Sequence, residues 1–87
     1  MTTDIIIPTH DLPDMTVACL DSVRRHTSDY RVVWVDDGSS EESKRQVQDA
    51  IADMPHLAVM LDSNLGFIKA TNAGIRESDG DHLCLLN

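Results

Sequence analysis

Positive charge is scarce in this chain. Seven Lys and Arg stand against fifteen Asp and Glu in 87 residues, a formal charge of −8. A broad nucleic-acid surface needs a basic footprint, so the balance argues against that class of function. It does not argue against a single bound nucleotide, which a few local donors can hold. Long apolar runs are also missing. Val32–Val35 and Leu57–Leu61 are among the longest, at four and five residues, well short of a membrane span. The N-terminus has neither the basic region nor the apolar stretch of a signal peptide. Cysteine is sparse, and Cys19 and Cys84 lie far apart in apolar surroundings. Two buried, reduced thiols in a cytoplasmic protein are expected, not a disulfide. The four histidines keep no metal-ligand spacing among themselves or with the cysteines. Gly-x-Gly-x-x-Gly and Walker loops are absent, so the common dinucleotide and ATP fingerprints are not here. No Ser sits in a nucleophile elbow, and neither Cys is placed for activation. What remains is one acidic domain at most, 41% apolar.

What the chain does have is a regular alternation. Asp4–Pro8 is a β-branched run closed by proline. Its continuous apolar character suits a strand covered on both faces. Thr9-His10-Asp11 follows as a loop. Leu12 to about Arg25 reads as a helix with Pro13 near its start. Met15, Cys19, Leu20 and Val23 form its apolar stripe, and Arg24, Arg25 and His26 complement the dipole in its last turn. Tyr30–Val35 is the second strand and leads into Asp36-Asp37-Gly38. Ser39 and Glu42 have capping-box spacing, which makes Ser39 the expected cap of the second helix. Val47, Ala50, Ile51 and Met54 share one face of that helix, and Pro55 ends it. Leu57–Leu61 is the third strand. Phe67 to about Glu77 is the third helix, with Phe67, Ile68, Thr71 and Ile75 expected on its inner side and Gly74 allowing close backbone packing. His82–Leu86 is the fourth strand. Strands and helices in alternation call for an α/β fold with a parallel sheet.

In such sheets ligands sit beyond the carboxyl ends of the strands, which draws attention to Asp36 and Asp37. As turn or cap residues they would be unremarkable before Gly38. Functionally, an ionised Asp is acceptor-only and matches the imide N–H of a pyrimidine such as uracil. Chelation of one metal by both is disfavoured, because successive strand side chains point opposite ways. His10 leaves the first strand at the same edge. Its ring could lie against a base, with Pro8 and Thr9 shaping the backbone, or it could be a partly exposed loop residue. Gly66, just before a helix start, lets the backbone approach a ligand, and free N–H groups there favour an anion such as a diphosphate. Lys69 is either a further positive charge for that anion or a solvated surface residue.

Four segments together resemble a known family. They are Ile6-Ile7-Pro8-Thr9-His10-Asp11, Val33-Trp34-Val35-Asp36-Asp37-Gly38-Ser39-Ser40, Asn64-Leu65-Gly66-Phe67 with Asn72-x-Gly74-Ile75, and Leu83-Cys84-Leu85-Leu86-Asn87. In order and spacing they are similar to the opening of a family 2 glycosyltransferase, from about Asp4 to the end. The resemblance implies a Rossmann-like, three-layer α/β arrangement. Its mostly parallel sheet would have four strands in the order 3-2-1-4 with three helices, the N-terminal part of a GT-A fold. Residues 1–87 would then be a partial domain, ending before the Asp-x-Asp motif.

The implied activity is transfer of a hexosyl or related sugar from a nucleoside-diphosphate donor, UDP- or dTDP-type favoured, to an acceptor hydroxyl. The implied nucleotide-sugar-binding residues are Pro8, Thr9, His10, Asp37, Asp36 and Gly66. His10 stands where a tyrosine often stacks near the base, and Asp11 where asparagine is more usual. Asp37 would read the base, while Asp36 would shape the turn. Thr71 occupies the place of an arginine that some members set beside the diphosphate. Ligands for Mg²⁺ or Mn²⁺ and the catalytic base are expected beyond Asn87. The 87 residues alone would thus bind no metal and transfer no sugar. The fourth strand, as an apolar edge from Leu83 to Leu86, is a place for self-association. A different class stays open: a stand-alone nucleotide-binding or interaction module without catalysis. A third reading, a receiver-like signalling domain with Asp62 as phosphoacceptor, lacks the fifth strand and the lysine it needs.

Overall fold

The strand and helix order read from the sequence is the order observed. The computed structural model describes residues 2–86, so Asn87 lies outside the described residues. The chain runs β1 (Thr3–Thr9), α1 (Pro13–His26), β2 (Tyr30–Asp37), α2 (Glu41–Ile51), β3 (His56–Leu61), α3 (Phe67–Glu77) and β4 (His82–Leu85). The sheet order is β3-β2-β1-β4, and all three pairings are parallel. This is the expected Rossmann-like, three-layer arrangement. No helix among the described residues is long and apolar enough to cross a membrane.

The pleat divides the core between two faces. Ile5, Ile7, Val32 and Trp34 point toward α1 and α2, where they meet Leu20, Val23, Val47, Ile51 and Met54. Ile6, Val33 and Val35 point the other way, against Ala70 of α3 with Val59 and Leu61 alongside. β1 and β2 are therefore apolar on both sides, as their continuous runs required. The edge strand β3 differs, because its residues alternate between exposed and half-buried.

Several local expectations are corrected. Met15 is 69% exposed, and Thr16, Leu20 and Val23 form the buried stripe of α1 instead. Ser40, not Ser39, caps α2 by accepting the Ser43 N–H at 3.2 Å. Glu42 bonds Arg45 and Gln46 rather than the cap. α2 also stops at Ile51, ahead of Pro55. Cys84 is exposed and Cys19 half-buried, though both thiols are free as expected.

A further correction is the inner face of α3. Thr71 is inward as expected, but Phe67, Ile68 and Ile75 are exposed, and Ala70, Ala73 and Gly74 are buried. The reason is distance. A Cβ on Gly74 would stand 2.8 Å from Ile6 Cγ2 and from Val35 Cγ2. The helix lies so close to the sheet that only small side chains fit beneath it, and the large ones turn outward.

At the amino edge of the sheet sits a fully buried carboxylate, Asp4. It accepts from Arg31 Nε and Nη2 at 3.1 Å each, and from the N–H groups of Asp79 and Gly80 at 2.9 Å each. Burial pushes its pKa up, but the Arg31 guanidinium and the two N–H donors outweigh burial and hold it below the usual value. A carboxyl with a lowered folded-state pKa contributes stability above its unfolded value and loses it as pH falls through the folded one. Asp4→Asn should cost about 2 kcal/mol at neutral pH. Urea titrations should show that difference shrinking as pH drops through the low carboxylate range; a constant difference would remove the charge from the explanation.

Candidate functional site

Three chain crossings converge at the carboxyl edge of the sheet: the exits of β1 and β2, and the loop from β3 into α3. Between them lies a cleft of about 230 Å³, lined by Pro8, Thr9, His10, Asp37, Asn64, Gly66 and Phe67. Five of the six residues expected to bind a nucleotide sugar are in that lining. Asp36 is not. Its carboxylate lies on the opposite face of β2, 1% exposed, and accepts the Ser39 N–H at 3.0 Å. It shapes the turn, while Asp37 faces the cleft. The pleat alone separates them.

Asp37 is 4% exposed. Its Oδ1 accepts the Leu65 N–H at 2.7 Å and its Oδ2 the Gly66 N–H at 3.0 Å. The same Gly66 N–H lies 3.2 Å from Asn64 Oδ1. These bonds clip the β3–α3 loop onto the end of β2. They also correct an expectation, since the Gly66 N–H is engaged within the protein and is not free for an anion. Gly38 makes the clip sterically feasible. It has φ 74, and a Cβ there would stand 2.5 Å from Asn64 N and from Ser63 C, so no side chain fits between turn and loop.

The β1 exit is tied to β2 by a second set of bonds. His10 Nδ1 lies 2.8 Å from the Asp37 carbonyl oxygen. The Asp11 N–H donates to Ser39 Oγ at 2.7 Å, and Asp11 Oδ1 accepts the Ser40 N–H at 3.0 Å. That Ser40 N–H bond is the main reason the Asp11 carboxyl sits below its usual range. Asp11 and Leu12 both have positive φ, 55 and 50. Left-handed backbone at two consecutive non-glycine residues is strained, and the Asp11 bonds hold it in place. Beneath this loop, the fully buried Trp34 donates from Nε1 to Thr9 Oγ1 at 2.8 Å.

Reasoning from sequence missed the structural parts of this site. Trp34 read only as part of an apolar run, though an indole N–H in a core needs a partner. Ser40 takes the capping role expected of Ser39, whose hydroxyl accepts the Asp11 N–H instead. Phe67 was expected inside and instead walls the cleft. Thr71 is buried on α3, its Oγ1 without a hydrogen-bond partner, and is not in the cleft lining. Lys69 is exposed beside a separate, open apolar hollow of about 460 Å³ formed with Leu65, Gly66, Phe67 and Ile68. Among the described residues no group of three or more His, Cys, Asp and Glu could hold a metal ion.

Comparison with known proteins places the chain in a family. The family model for glycosyl transferase family 2 matches residues 4–87. The chain is 30% identical over 89 residues to an undecaprenyl-phosphate 4-deoxy-4-formamido-L-arabinose transferase of Proteus mirabilis, covering 95% of this chain and 27% of that protein. It is 37% identical over 83 residues to an N-acetylglucosaminyltransferase of a Rhizobium species, covering 90% and 18%. A teichoic acid poly(glycerol phosphate) polymerase of Staphylococcus epidermidis is 28% identical over 86 residues, covering 95% and 12%. The chain thus spans between 12% and 27% of the length of these relatives.

The Asp37 clip has a direct readout. Asp37→Ala should speed hydrogen exchange at the Leu65 and Gly66 amides about tenfold or more, with the amides of β1 much less affected. Unchanged exchange at those two positions would show that the loop holds itself.

Proposed function

The chain belongs to glycosyl transferase family 2, and from that premise we propose that it forms the nucleotide-binding part of an enzyme that moves a sugar from a nucleoside-diphosphate donor, of UDP or dTDP type, to an acceptor hydroxyl. The observation that carries this reading is the cleft, where Asp37 meets Pro8, Thr9, His10 and Gly66 at the carboxyl edge of the sheet. Each Asp37 oxygen accepts one loop N–H and keeps further acceptor capacity. A base with an imide N–H satisfies that capacity. Pro8 and Thr9 set the backbone against which the nucleoside lies, and His10 stands at its side.

The start of α3 supports the placement of the diphosphate. α1 and α2 carry acidic residues in their first turns, and α2 has a side-chain cap. α3 has no acidic residue in its first turn and no side-chain cap. Its own first turn thus supplies no acceptor, as suits a bound anion, although the Leu65 and Gly66 N–H groups just before it are held by Asp37. For a UDP- or dTDP-sugar this puts the base toward β2 and the phosphates toward Phe67.

The described residues do not fit the divalent cation that the family resemblance implies. Asp36 and Asp37 lie on opposite faces of β2, each bonded to backbone N–H groups. No step of the proposal runs through a metal here. Mg²⁺ or Mn²⁺, and the base that deprotonates the acceptor, are proposed for the greater part of the relatives' length that this chain does not match. On this reading the 87 residues bind a donor without transferring it. A cytoplasmic setting belongs to the same proposal, supported by the two unpaired cysteines. So does pairing of a second copy along the outer edge of β4, whose four residues are all exposed. Sedimentation should show a dimer that Leu83→Lys disperses, and a monomer at all concentrations would rule that pairing out.

Calorimetric titration tests the nucleotide reading. UDP should bind weakly, and more tightly than CDP, because cytosine has no imide N–H to offer Asp37. Asp37→Asn should weaken UDP about tenfold and erase the preference over CDP. A preference that survives the substitution would take base recognition away from Asp37, whatever the loop does.

A further inference from the structure

A base needs more than one partner. Uracil and thymine present an imide N–H flanked by two carbonyl oxygens. The edge that gives its proton to Asp37 therefore also carries acceptors in need of donors. A carbonyl that leaves water without finding one weakens binding. Most of the polar groups in the cleft are already committed. The Leu65 and Gly66 N–H groups go to Asp37. Thr9 Oγ1 accepts from Trp34 and lies 3.5 Å from the Val35 carbonyl oxygen. His10 Nδ1 is held at the Asp37 carbonyl oxygen. Pro8 has no N–H to give, and the Phe67 side chain is apolar.

Asn64 is the exception. Its Oδ1 lies 3.2 Å from the Gly66 nitrogen. A backbone N–H only donates, so the amide atom facing it is the oxygen, and this bond fixes which way the side chain is turned. The amide nitrogen is left with its two N–H groups, and Asn64 is exposed and lines the cleft. Asp37 Oδ2 accepts the same Gly66 N–H at 3.0 Å. The two side chains therefore meet on one backbone nitrogen, the carboxylate offering acceptors and the amide offering donors. The direction of the loop orders them further. It runs from Asn64 to Phe67, and the phosphates are placed toward Phe67. Asn64 thus stands at the base end, and the C4 oxygen is the part of the base edge farthest from the phosphates.

We propose that Asn64 is a specificity-determining residue for the base of the donor: its Nδ2–H donates to the C4 oxygen of uracil or thymine while Asp37 accepts the neighbouring imide N–H. Cytosine carries an amino group at C4 and sets a donor against that donor. The Asn64 oxygen serves the loop, and the nitrogen serves the ligand. Asn64→Asp separates the two roles, because a carboxylate keeps an acceptor for the Gly66 N–H and replaces the donor by an acceptor that suits the cytosine amino group. This rests on the nucleotide reading above and goes beyond it in giving the base a second partner of opposite hydrogen-bonding sense.

The 87-residue chain and its variants are titrated calorimetrically with UDP and CDP, and the ratio of the two affinities is the readout. Both ligands carry the same diphosphate, so a change of charge at position 64 acts on both and cancels in the ratio. The unsubstituted chain should prefer UDP. Asn64→Asp should lower that preference about tenfold. Asn64→Ala, which adds no charge, should lower it by less. A preference that stays unchanged in both variants overturns the Asn64 assignment and leaves the nucleotide reading standing. So do equal losses of UDP and CDP affinity, which would confine Asn64 to holding the loop. An unsubstituted chain that binds neither ligand overturns the nucleotide reading, and one that binds both alike overturns base reading by Asp37; the Asn64 assignment falls with either.

Discussion

Both ends of α3 are held in the same way, by a buried carboxylate that accepts two consecutive backbone N–H groups. At the carboxyl edge of the sheet Asp37 accepts from Leu65 and Gly66, just before the helix. At the amino edge Asp4 accepts from Asp79 and Gly80, just after it. Hydrogen bonds to a charged acceptor are the stronger kind, and a buried carboxylate without them would be costly. The two aspartates lie on the central strands β2 and β1. The helix is thus fixed to the most buried part of the sheet.

That grip fits the close approach of α3. With Gly74 over Ile6 and Val35 at a distance that leaves no room for a Cβ, the helix buries small residues and presents its large ones outward. Phe67 reaches the cleft as a result, while Leu65 and Ile68 remain exposed beside it. Site and packing are consequences of one geometry. Asp37 accordingly has two roles, closing the loop that walls the cleft and offering its remaining acceptor capacity to a ligand.

The β1 side of the cleft is built differently. Its backbone is strained at Asp11 and Leu12 and is held by Ser39, Ser40 and the His10 ring rather than by a buried charge. Trp34 supports Thr9 from below. One wall is therefore clamped by a buried carboxylate, the other by an exposed network of Asp11, the two serines and the His10 ring.

The amino-acid sequence by itself determined the element order, the α/β class, the doubly covered strands β1 and β2, and the edge at which ligands would gather. Each follows from hydrophobic period, proline position and turn chemistry, which are local. It also separated Asp36 from Asp37, because the alternation of a strand is local too. Tertiary structure decided the rest. Which face of α3 turns inward depended on how near the sheet lies, and no periodicity records that distance. Whether Ser39 or Ser40 caps α2 depended on Asp11, 28 residues from Ser39, which draws the Ser39 hydroxyl away. The Asp4 clamp joins residues 75 and 76 positions apart and left no motif to read. The state of the Gly66 N–H turned on Asp37 across the same kind of span. Contacts between residues far apart in the chain exist only once the sheet has formed, and in this protein they set the shape and the charge of the site.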